Sequence, residues 1–151
     1  MADSILEQIA TNVLDVLGKI TTDNGFENTV TASRHKQHGN EIADKLVVLF
    51  QEDPAKSDAA PQGHIWWVQP FAAACFVLES ETSTTAVDSR INSLRSDVER
   101  ALCLDRNRIG LAVDTVIDAP NLIVDDVGGV SGIVVRFSVH YRTLEDDPYS
   151  Q

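Results

Sequence analysis

The sequence predicts an α+β fold in which a single antiparallel or mixed β-sheet of about four to six strands is packed by two main helices. Two long segments place apolar residues at steps of three and four, as amphipathic helices do. The other apolar segments are short or alternate with polar residues, as strands do. Connections of hairpin length favour neighbouring strands in one sheet over the regular helix and strand alternation of doubly wound folds.

The chain has the length of one domain. Its 151 residues are enough to bury about 70 % of the surface that the unfolded chain exposes. The sequence contains no internal repeat and no low-complexity segment, so we predict a single domain over residues 1–151. The polar residues after the last predicted strand indicate a flexible C-terminal tail at about 144–151.

The first helix is predicted over residues 4–20, where apolar residues form one stripe. Ser4 followed by Glu7 matches a capping box, in which the two side chains satisfy backbone N–H groups at the helix start. The Asn-Gly pair at 24–25 tolerates positive φ and predicts a turn. Residues 26–33, rich in Thr and Val with polar residues between them, then predict a short strand.

The middle of the chain predicts two buried strands joined by a loop. Residues 45–51 have the β-branched and aromatic content of a buried strand, whereas residues 53–63 contain two prolines and predict an exposed loop. Residues 65–78 predict a long central strand that is interrupted at Pro70, because proline cannot donate a hydrogen bond to a neighbouring strand. The alanines at 72–74 lie in a continuous apolar run, which indicates that both faces are covered and that a helix packs closely.

The second helix is predicted over residues 85–103, with Thr85 and Asp88 as its capping pair. Its apolar residues repeat at four, three, four and three. The charged residues between them, including Asp97, are assigned to the solvent-exposed face.

The last part of the chain predicts two strands separated by turns. Residues 111–117 predict a strand that ends in a turn at 119–120, and a further turn is predicted at 125–129. Residues 133–142 alternate apolar and polar side chains most clearly. One face of this strand is therefore expected to pack on the core, and the other to meet solvent or a partner.

The composition is acidic, with a formal net charge of −11. Nucleic-acid binding depends on neutralising phosphates with Lys and Arg, so this charge argues against specific binding to DNA or RNA. No run reaches the roughly 18 apolar residues of a membrane span, and the N-terminus does not resemble a secretory signal. We therefore expect synthesis in a cytoplasm and no membrane partner. There Cys75 and Cys103 are expected to act as small hydrophobes without a disulfide.

The histidines are weak candidates for chemistry. His35 and His38 could share a helical face and bind zinc, but no further ligands follow at a characteristic spacing. His64 or His140 could act as a base with a nearby serine, yet the sequence contains no nucleophile elbow, P-loop or dinucleotide-binding motif. We therefore predict no catalytic residue, no cofactor and no metal site.

Two groups of carboxylates, at 125–126 and 145–147, could bind a divalent cation through oxygen ligands. They lack the regular spacing of a calcium loop. We therefore expect them to be solvated turn residues.

Trp66 and Trp67 are adjacent in the central predicted strand, so their side chains project to opposite faces. One of the two indoles must point away from the core side of the sheet. Either helix and loop cover both indoles within the monomer, or one anchors an interface, since tryptophan is enriched at binding hot spots.

Four segments in order carry a family resemblance: an N-terminal helix leading into a D-N-G-F turn, a central apolar strand, the helix SRINSLRSDVERAL and the closing strand VVRFSVHYRTLEDDPY. The closing R-x-x-x-x-D-P-Y run consists of Arg142, Asp147, Pro148 and Tyr149. Together these segments resemble the small tail terminator, or tail completion, proteins of long-tailed bacteriophages and prophages. The resemblance spans nearly the whole chain and is weakest over residues 34–62.

This resemblance implies an α/β subunit that forms a hexameric ring at the head-proximal end of the tail tube. Such a ring stops tube polymerisation and gives the head-completion or neck protein a docking surface. It implies a place in the virion tail, reached by assembly in the host cytoplasm. The candidate interface residues are Trp66, Trp67, Arg142, Asp147, Pro148 and Tyr149.

The acidic composition suits a ring whose lumen passes DNA without holding it, because carboxylates repel phosphate. The candidate acidic residues facing such a lumen are Asp125, Asp126, Glu145 and Asp146. The extended segments at 34–44, 53–63 and 143–151 are expected to become ordered against neighbouring subunits of a closed ring.

Two alternatives stay open at this point. One is a different head–tail connector or neck subunit, which would also be a small ring-forming protein. The other is a cytoplasmic domain that binds a small ligand, with His64, Trp66 and His140 lining the pocket.

Overall fold

A computed structural model describes residues 2–35, 43–57, 59–79, 85–123 and 129–151, and for residues 121–123 the backbone alone. One mixed β-sheet carries two helices on one face, so the predicted α+β class is confirmed. The elements are, in chain order, α1 (Ile5–Gly18), a 3-10 turn (Thr22–Asn24), β1 (Thr31–Arg34), β2 (Leu46–Gln51), β3 (Ala55–Ser57), β4 (His64–Leu78), α2 (Val87–Leu104), β5 (Asp114–Ile117), β6 (Asn121–Ile123) and β7 (Val130–Leu144).

The seven strands form five rows. Strands β4 and β7 are the long central pair, antiparallel over their full lengths from His64↔Leu144 to Leu78↔Val130. Strands β2 and β3 lie end to end along the free side of β4, and β5 and β6 lie end to end along the free side of β7. Strand β1 pairs with β2 in parallel, the single parallel pair among the described strands. The two rows that flank the central pair therefore both contain a break.

The helical layer covers the face that carries odd-numbered residues of β4 and β7. Residues on one side of α1, such as Ile9 and Val13, are fully buried against strand residues such as Phe71 and Phe137. The two phenylalanine rings stack with centroids 5.4 Å apart. The alternation predicted for the last strand is confirmed, because its odd residues from Ile133 to Tyr141 are buried and its even residues are less so.

The predicted interruption at Pro70 lies in the neighbouring row instead of in the central strand. Strand β4 is continuous through Pro70, whereas the row beside it breaks at residues 52–54, between β2 and β3. The Pro70 carbonyl accepts from the Glu52 amide at 3.1 Å, so the missing proline N–H faces this break. The buried amide of Gln69 replaces that donor, since its Nε2 lies 2.5 Å from the Glu52 carbonyl oxygen and 2.8 Å from that of Pro70.

Asp97 is not on the solvent-exposed face of α2, where its charge placed it. It is 4 % exposed and accepts hydrogen bonds from Asn28 N and Asn28 Nδ2, both at 2.8 Å, and from Glu27 N at 3.4 Å. These bonds hold residues 27–28 against the helix. The strand predicted from residue 26 therefore begins only at Thr31.

Three other local predictions need correction. Helix α2 has Ala86, not Thr85, at its N-cap, and the alanine side chain cannot accept a hydrogen bond. The predicted loop at 53–63 contains β3, which pairs with β4. After the predicted turn at 119–120 the chain continues in the same direction as β6, so this segment interrupts the strand row and does not reverse the chain. The turn predicted at 125–129 lies almost wholly outside the described residues.

The start of α1 follows half of the predicted capping box. Ser4 Oγ accepts from the Glu7 amide at 3.2 Å, while the Glu7 carboxylate binds the Arg34 guanidinium at 2.6 and 3.3 Å. Both cysteines are free, as expected. Cys75 is buried, and burial raises the pKa of its thiol to about 12, whereas Cys103 is exposed and does not act as a buried hydrophobe.

Candidate functional site

Most of the predicted interface residues lie at one end of the sheet, where β4 begins and β7 ends. In the β4–β7 ladder Trp66 is opposite Arg142, and Trp67 is opposite Tyr141. Adjacent residues of a strand point to opposite faces, so the two tryptophans lie on different sides of the sheet, as the sequence predicts. We call this region the β4-start end.

Trp67 faces the helical layer and belongs largely to the protein's own packing. Its ring stacks on Tyr141 with centroids 6.4 Å apart, and its Nε1 donates to Thr143 Oγ1 at 3.2 Å. Lys56 Nζ lies 5.4 Å from the ring centroid. Tyr141 is buried, which raises the pKa of its phenol to about 12. An intermolecular role for Trp67 is therefore less favoured than its sequence position indicates.

Trp66 projects from the face that the helices leave uncovered. It lines a small cleft of about 140 Å³ together with Val116 and His140. Its indole Nε1 is buried without a hydrogen-bond partner among the described residues. A buried N–H without an acceptor costs about 1–3 kcal/mol, so an oxygen atom supplied by another molecule would be stabilised here.

Ser57, Asp114 and His140 all line this cleft. Ser57 Oγ accepts from the Ala59 amide at 3.4 Å. Asp114 is opposite His140 in the β5–β7 ladder, but its carboxylate binds the Thr115 amide at 2.8 Å and Arg106 Nε at 3.2 Å. His64 is not among the described residues that line the cleft. Where side chains are described, no group of three or more His, Cys, Asp or Glu is placed to hold a metal ion.

The side chain of His35 has an aromatic partner. Its ring stacks on Phe50 with centroids 4.3 Å apart, and His38 lies outside the described residues.

Over the described part of the chain, no helix has the length and apolar character needed to cross a membrane.

The Asp-Pro-Tyr run near the C-terminus forms a turn that closes on the protein itself. Asp147 accepts from Ser150 Oγ at 2.7 Å and from the Tyr149 amide at 2.9 Å, and these bonds hold the pKa of its carboxyl below the usual value. The Pro148 carbonyl accepts from the Ile5 amide at 3.1 Å, which satisfies one of the free N–H groups at the start of α1. Two residues predicted to face a partner therefore serve a turn and a helix cap.

The rest of the tail makes further contacts with the domain. The Glu145 amide donates to the Gly63 carbonyl at 3.0 Å, and the Leu144 amide donates to the Ser150 carbonyl at 3.0 Å. Gln151 Nε2 donates to the Leu111 carbonyl. The segment predicted to be a flexible arm is thus bound to the domain in this structure. Its Tyr149 side chain is 49 % exposed.

The candidate acidic residues divide into two groups. Glu145 and Asp146 are exposed in the turn after β7, at the β4-start end. Asp125 and Asp126 lie outside the described residues. Arg142 is exposed on the strand face that also carries Trp66.

The sequence did not predict the exposed apolar residues that accompany Trp66. Val113 and Val116 line the cleft beside Trp66. The exposed large hydrophobic side chains among the described residues are Leu104, Ile109, Val113, Val116 and Tyr149. Four of them belong to residues 104–116, which connect α2 to β5 and begin that strand. Ile109 is 74 % exposed and Leu104 is 70 % exposed. The sequence signal for these exposed residues was the apolar run from Ile109 to Val113. Residues 111–113 of this run were predicted to begin a strand.

Arg108 holds the connection between α2 and β5 in shape. Its side chain is fully buried, its Nε donates to Thr115 Oγ1 at 3.1 Å, and its Nη2 donates to the Leu102 carbonyl in the last turn of α2. Burial lowers the pKa of this guanidinium, and the nearby Asp105 carboxylate opposes that shift. A cation at a helix C-terminus is favourable because the last carbonyls carry partial negative charge.

The comparisons with known proteins yield no family: no family model matches the chain, and no curated protein matches it.

Proposed function

We propose that this chain is a structural subunit of a phage or prophage particle, a tail terminator that assembles as a ring at the head-proximal end of the tail tube. The ring stops tube polymerisation and joins tail to head. The proposal starts from the resemblance of the D-N-G-F turn, the second helix and the closing strand to that family. It places the protein in the virion tail, after assembly in the host cytoplasm.

One structural observation supports a contact function above the others. Two exposed hydrophobic residues, Val113 and Val116, line the cleft beside Trp66 at the β4-start end. Gathered apolar residues on a soluble surface mark interaction sites, whereas scattered ones do not.

The cleft beside Trp66 is small for the ligand-binding alternative. The cleft beside Trp66 has about 140 Å³, whereas pockets for small ligands have roughly 300–1,000 Å³. His64, one of the three residues expected to line such a pocket, does not border it.

The acidic charge fits a ring around DNA. A net charge of −11 on each subunit repels phosphate. Glu145 and Asp146 are exposed at the β4-start end. We propose that these two residues face the lumen. DNA then passes through the ring without specific binding.

The test is a tube-length assay. Purified protein is mixed with polymerising tail tube protein, and tube lengths are measured by electron microscopy. We expect a ring at one tube end and a shorter length distribution as the protein concentration rises. Tubes that grow to the same lengths with and without the protein reject the terminator role. Binding to a purified neck or head-completion protein without any effect on tubes favours the connector alternative.

A matched pair of variants connects this assay to the surface. Val116→Asp adds a carboxylate to the cleft beside Trp66, and Thr11→Asp adds one to an exposed position of α1. We expect the first variant to abolish length control and the second to leave it unchanged. Equal activity of both variants would show that the surface around Trp66 is not the contact surface.

A further inference from the structure

The row of β5 and β6 is one edge of the sheet, because no described strand lies beyond it. Along such a strand, backbone groups point alternately toward the neighbouring strand and away from the sheet. The Asp118 amide donates to the Arg136 carbonyl of β7 at 2.9 Å, so this amide points inward. The N–H and C=O groups of Ile117, and those of Thr115, therefore point outward.

These two outward-pointing residues differ in their partners. The Thr115 amide donates to Asp114 Oδ1 at 2.8 Å, and its carbonyl accepts from Arg106 Nε at 3.2 Å. For the N–H and C=O groups of Ile117, the described residues supply no partner. Unpaired groups at a strand edge are a template for pairing with another extended chain. The open part of this edge therefore begins at Ile117.

A groove of about 660 Å³ lies beside the open part of the edge. One wall is the outer face of α2, which includes Ser96 and Cys103, and the other wall is residues 117–120. Thr115 is not among the described residues that line it. Proteins bind extended peptides by adding them to an exposed sheet edge, where main-chain hydrogen bonds give affinity and pockets for alternate side chains give specificity.

The charged side chains of the α2 wall are already paired. Arg95 Nε binds Glu99 Oε1 at 2.7 Å, and Arg100 Nη1 donates to the Gly25 carbonyl at 2.9 Å. Between them the wall presents the exposed thiol of Cys103. A charged side chain of an occupant would lose water here without gaining a free counter-charge, so an aliphatic side chain fits this wall better.

The opposite side of the edge carries a free carboxylate. Ile117 packs against the core on the helical side, so strand alternation places the Asp118 side chain on the other side. Asp118 is exposed, and its carboxylate has no ion pair within the described part of the chain. Since the whole chain also has a net charge of −11, an acidic occupant is repelled and a basic one attracted.

We propose that this groove binds an extended peptide segment of another protein, which joins the sheet as an additional strand beside Ile117. The Ile117 N–H donates to a peptide carbonyl, and the Ile117 carbonyl accepts from a peptide N–H. The peptide side chains that face α2 are aliphatic, and those that face Asp118 are basic. This binding site goes beyond the proposed function, and a single chain provides all of it.

A displayed library of random twelve-residue peptides serves as the probe. It is selected on the native chain and on a chain whose Cys103 carries a bulky maleimide. The reagent is directed to Cys103 because Cys75 is buried. We expect peptides with alternating aliphatic and basic residues to bind the native chain and not the labelled one. A selection that yields no such peptide overturns the inference.

Hydrogen exchange of the backbone amides tests the strand contact itself. A saturating selected peptide should slow exchange at Ile117 by about 10-fold or more, because this amide gains an acceptor. Thr115 is the internal control, since its amide already donates to Asp114, and its exchange should change little. A peptide that binds without protecting the Ile117 amide contradicts the proposal.

N-methylation of the selected peptide gives a second test of the backbone contact. Only every second peptide N–H faces the sheet, so methylation of one alternate set should weaken binding about 10-fold or more, and methylation of the other set should have little effect. Equal affinities of the two methylated peptides exclude pairing as a strand.

Two tryptophan variants locate the peptide in the groove. Cys103→Trp fills the groove and should weaken peptide binding about 100-fold, whereas Ser89→Trp adds the same side chain to α2 outside the groove and should leave binding unchanged. Both positions are exposed, so the fold is expected to persist, which circular dichroism checks. Unchanged binding by Cys103→Trp places the peptide elsewhere and rejects the site.

The charge preference is tested by Asp118→Lys. This variant should bind the basic peptide about 5-fold more weakly at low salt, and the difference should shrink at high salt because the site is exposed. An unchanged affinity at low salt contradicts the predicted basic residue beside Asp118.

The tube-length assay separates this inference from the proposed function. Peptide binding at Ile117 without any effect on tubes retains the groove and rejects the terminator. Length control by a chain that selects no peptide retains the terminator and rejects the groove.

Discussion

The two rows that flank the central β4–β7 pair are both broken, but the two breaks have different surroundings. At residues 52–54 the break lies opposite Pro70, and the Gln69 amide fills the missing hydrogen bond from inside the sheet. The chain there borders a groove. The β5–β6 row, which breaks at 118–120, is entered through a connection that places Ile109 in solvent.

Side chains protect part of the backbone at the outer edge of β5. On β5 the Thr115 amide donates to Asp114 Oδ1 at 2.8 Å, and the Thr115 carbonyl accepts from Arg106 Nε at 3.2 Å. Side chains therefore already satisfy this part of the strand edge, which disfavours pairing with a strand of another chain. Another molecule that binds at this part of β5 would therefore contact side chains and not the backbone of Thr115.

The largest expected effect concerns Arg108, which joins the end of α2 to β5. Arg108→Ala removes donors to Leu102 O and Thr115 Oγ1 and leaves a cavity, so we expect a loss of about 2–4 kcal/mol in the free energy of unfolding. Arg108→Met fills more of the volume and buries no charge, so its loss is smaller. Chemical denaturation measures both losses.

Arg106→Ala is the matched control for Arg108→Ala. Arg106 is largely exposed, and surface changes usually stay within about 0.5 kcal/mol. A similar loss for Arg106→Ala and Arg108→Ala would contradict the assignment of Arg108 as the residue that joins α2 to β5.

Gln69→Leu tests whether the Gln69 amide stabilises the break between β2 and β3. This change keeps the approximate volume but removes the donor to Glu52 O and Pro70 O, so we expect a loss of about 1–3 kcal/mol. Gln51→Leu, at the exposed end of β2, serves as the control and should change stability by less than about 0.5 kcal/mol. Equal denaturation midpoints for the two variants would show that the amide does not maintain the break.

Ile109→Gly tests whether the left-handed conformation strains the chain at Ile109. Glycine adopts positive φ freely, so we expect the free energy of unfolding to rise by roughly 0.5–1 kcal/mol. Lys45 has the same φ of 55° near the start of β2, and Lys45→Gly should give a gain of similar size. Chemical denaturation measures both gains, and a loss of stability for Ile109→Gly would contradict the strain.

The smallest expected effect is a pH dependence of the C-terminal turn. The hydrogen bonds from Ser150 and Tyr149 lower the pKa of Asp147, so the folded state binds its proton less readily than the unfolded state. The resulting stabilisation is complete above the ordinary pKa of 3.8 and is lost as the pH falls through the lower folded-state pKa. Thermal unfolding of native and Asp147→Asn chains should differ slightly at pH 7 and converge at low pH. Asp146→Asn, without these bonds among the described residues, should show no such convergence.

The sequence by itself determined the elements whose signal is local. The apolar stripe of α1, its Ser4 cap, the long apolar strand β4 and the alternation of β7 were all predicted and are confirmed. Periodicity reports which face of an element is buried, since that face depends on the geometry of the element alone. The opposite directions of Trp66 and Trp67 follow from the same rule.

The tertiary structure decided what depends on neighbours distant in sequence. Asp97 is buried because Asn28 and Glu27, about 70 residues earlier, supply donors, and no pattern within α2 carries that information. The sequence predicted an interruption of β4 at Pro70. Strand β4 stays continuous there because it pairs with β7 along its whole length, and the break lies in the adjacent row of β2 and β3.

The candidate site divides in the same way. Trp66 and Arg142 were chosen from residue type, but their pairing with each other required the register of two strands. The exposure of Ile109 depends on the buried Arg108, which joins the end of α2 to β5. A charged residue in a polar loop is usually solvated, so only the packing of those two elements could show that this arginine is inside and the isoleucine beside it is outside.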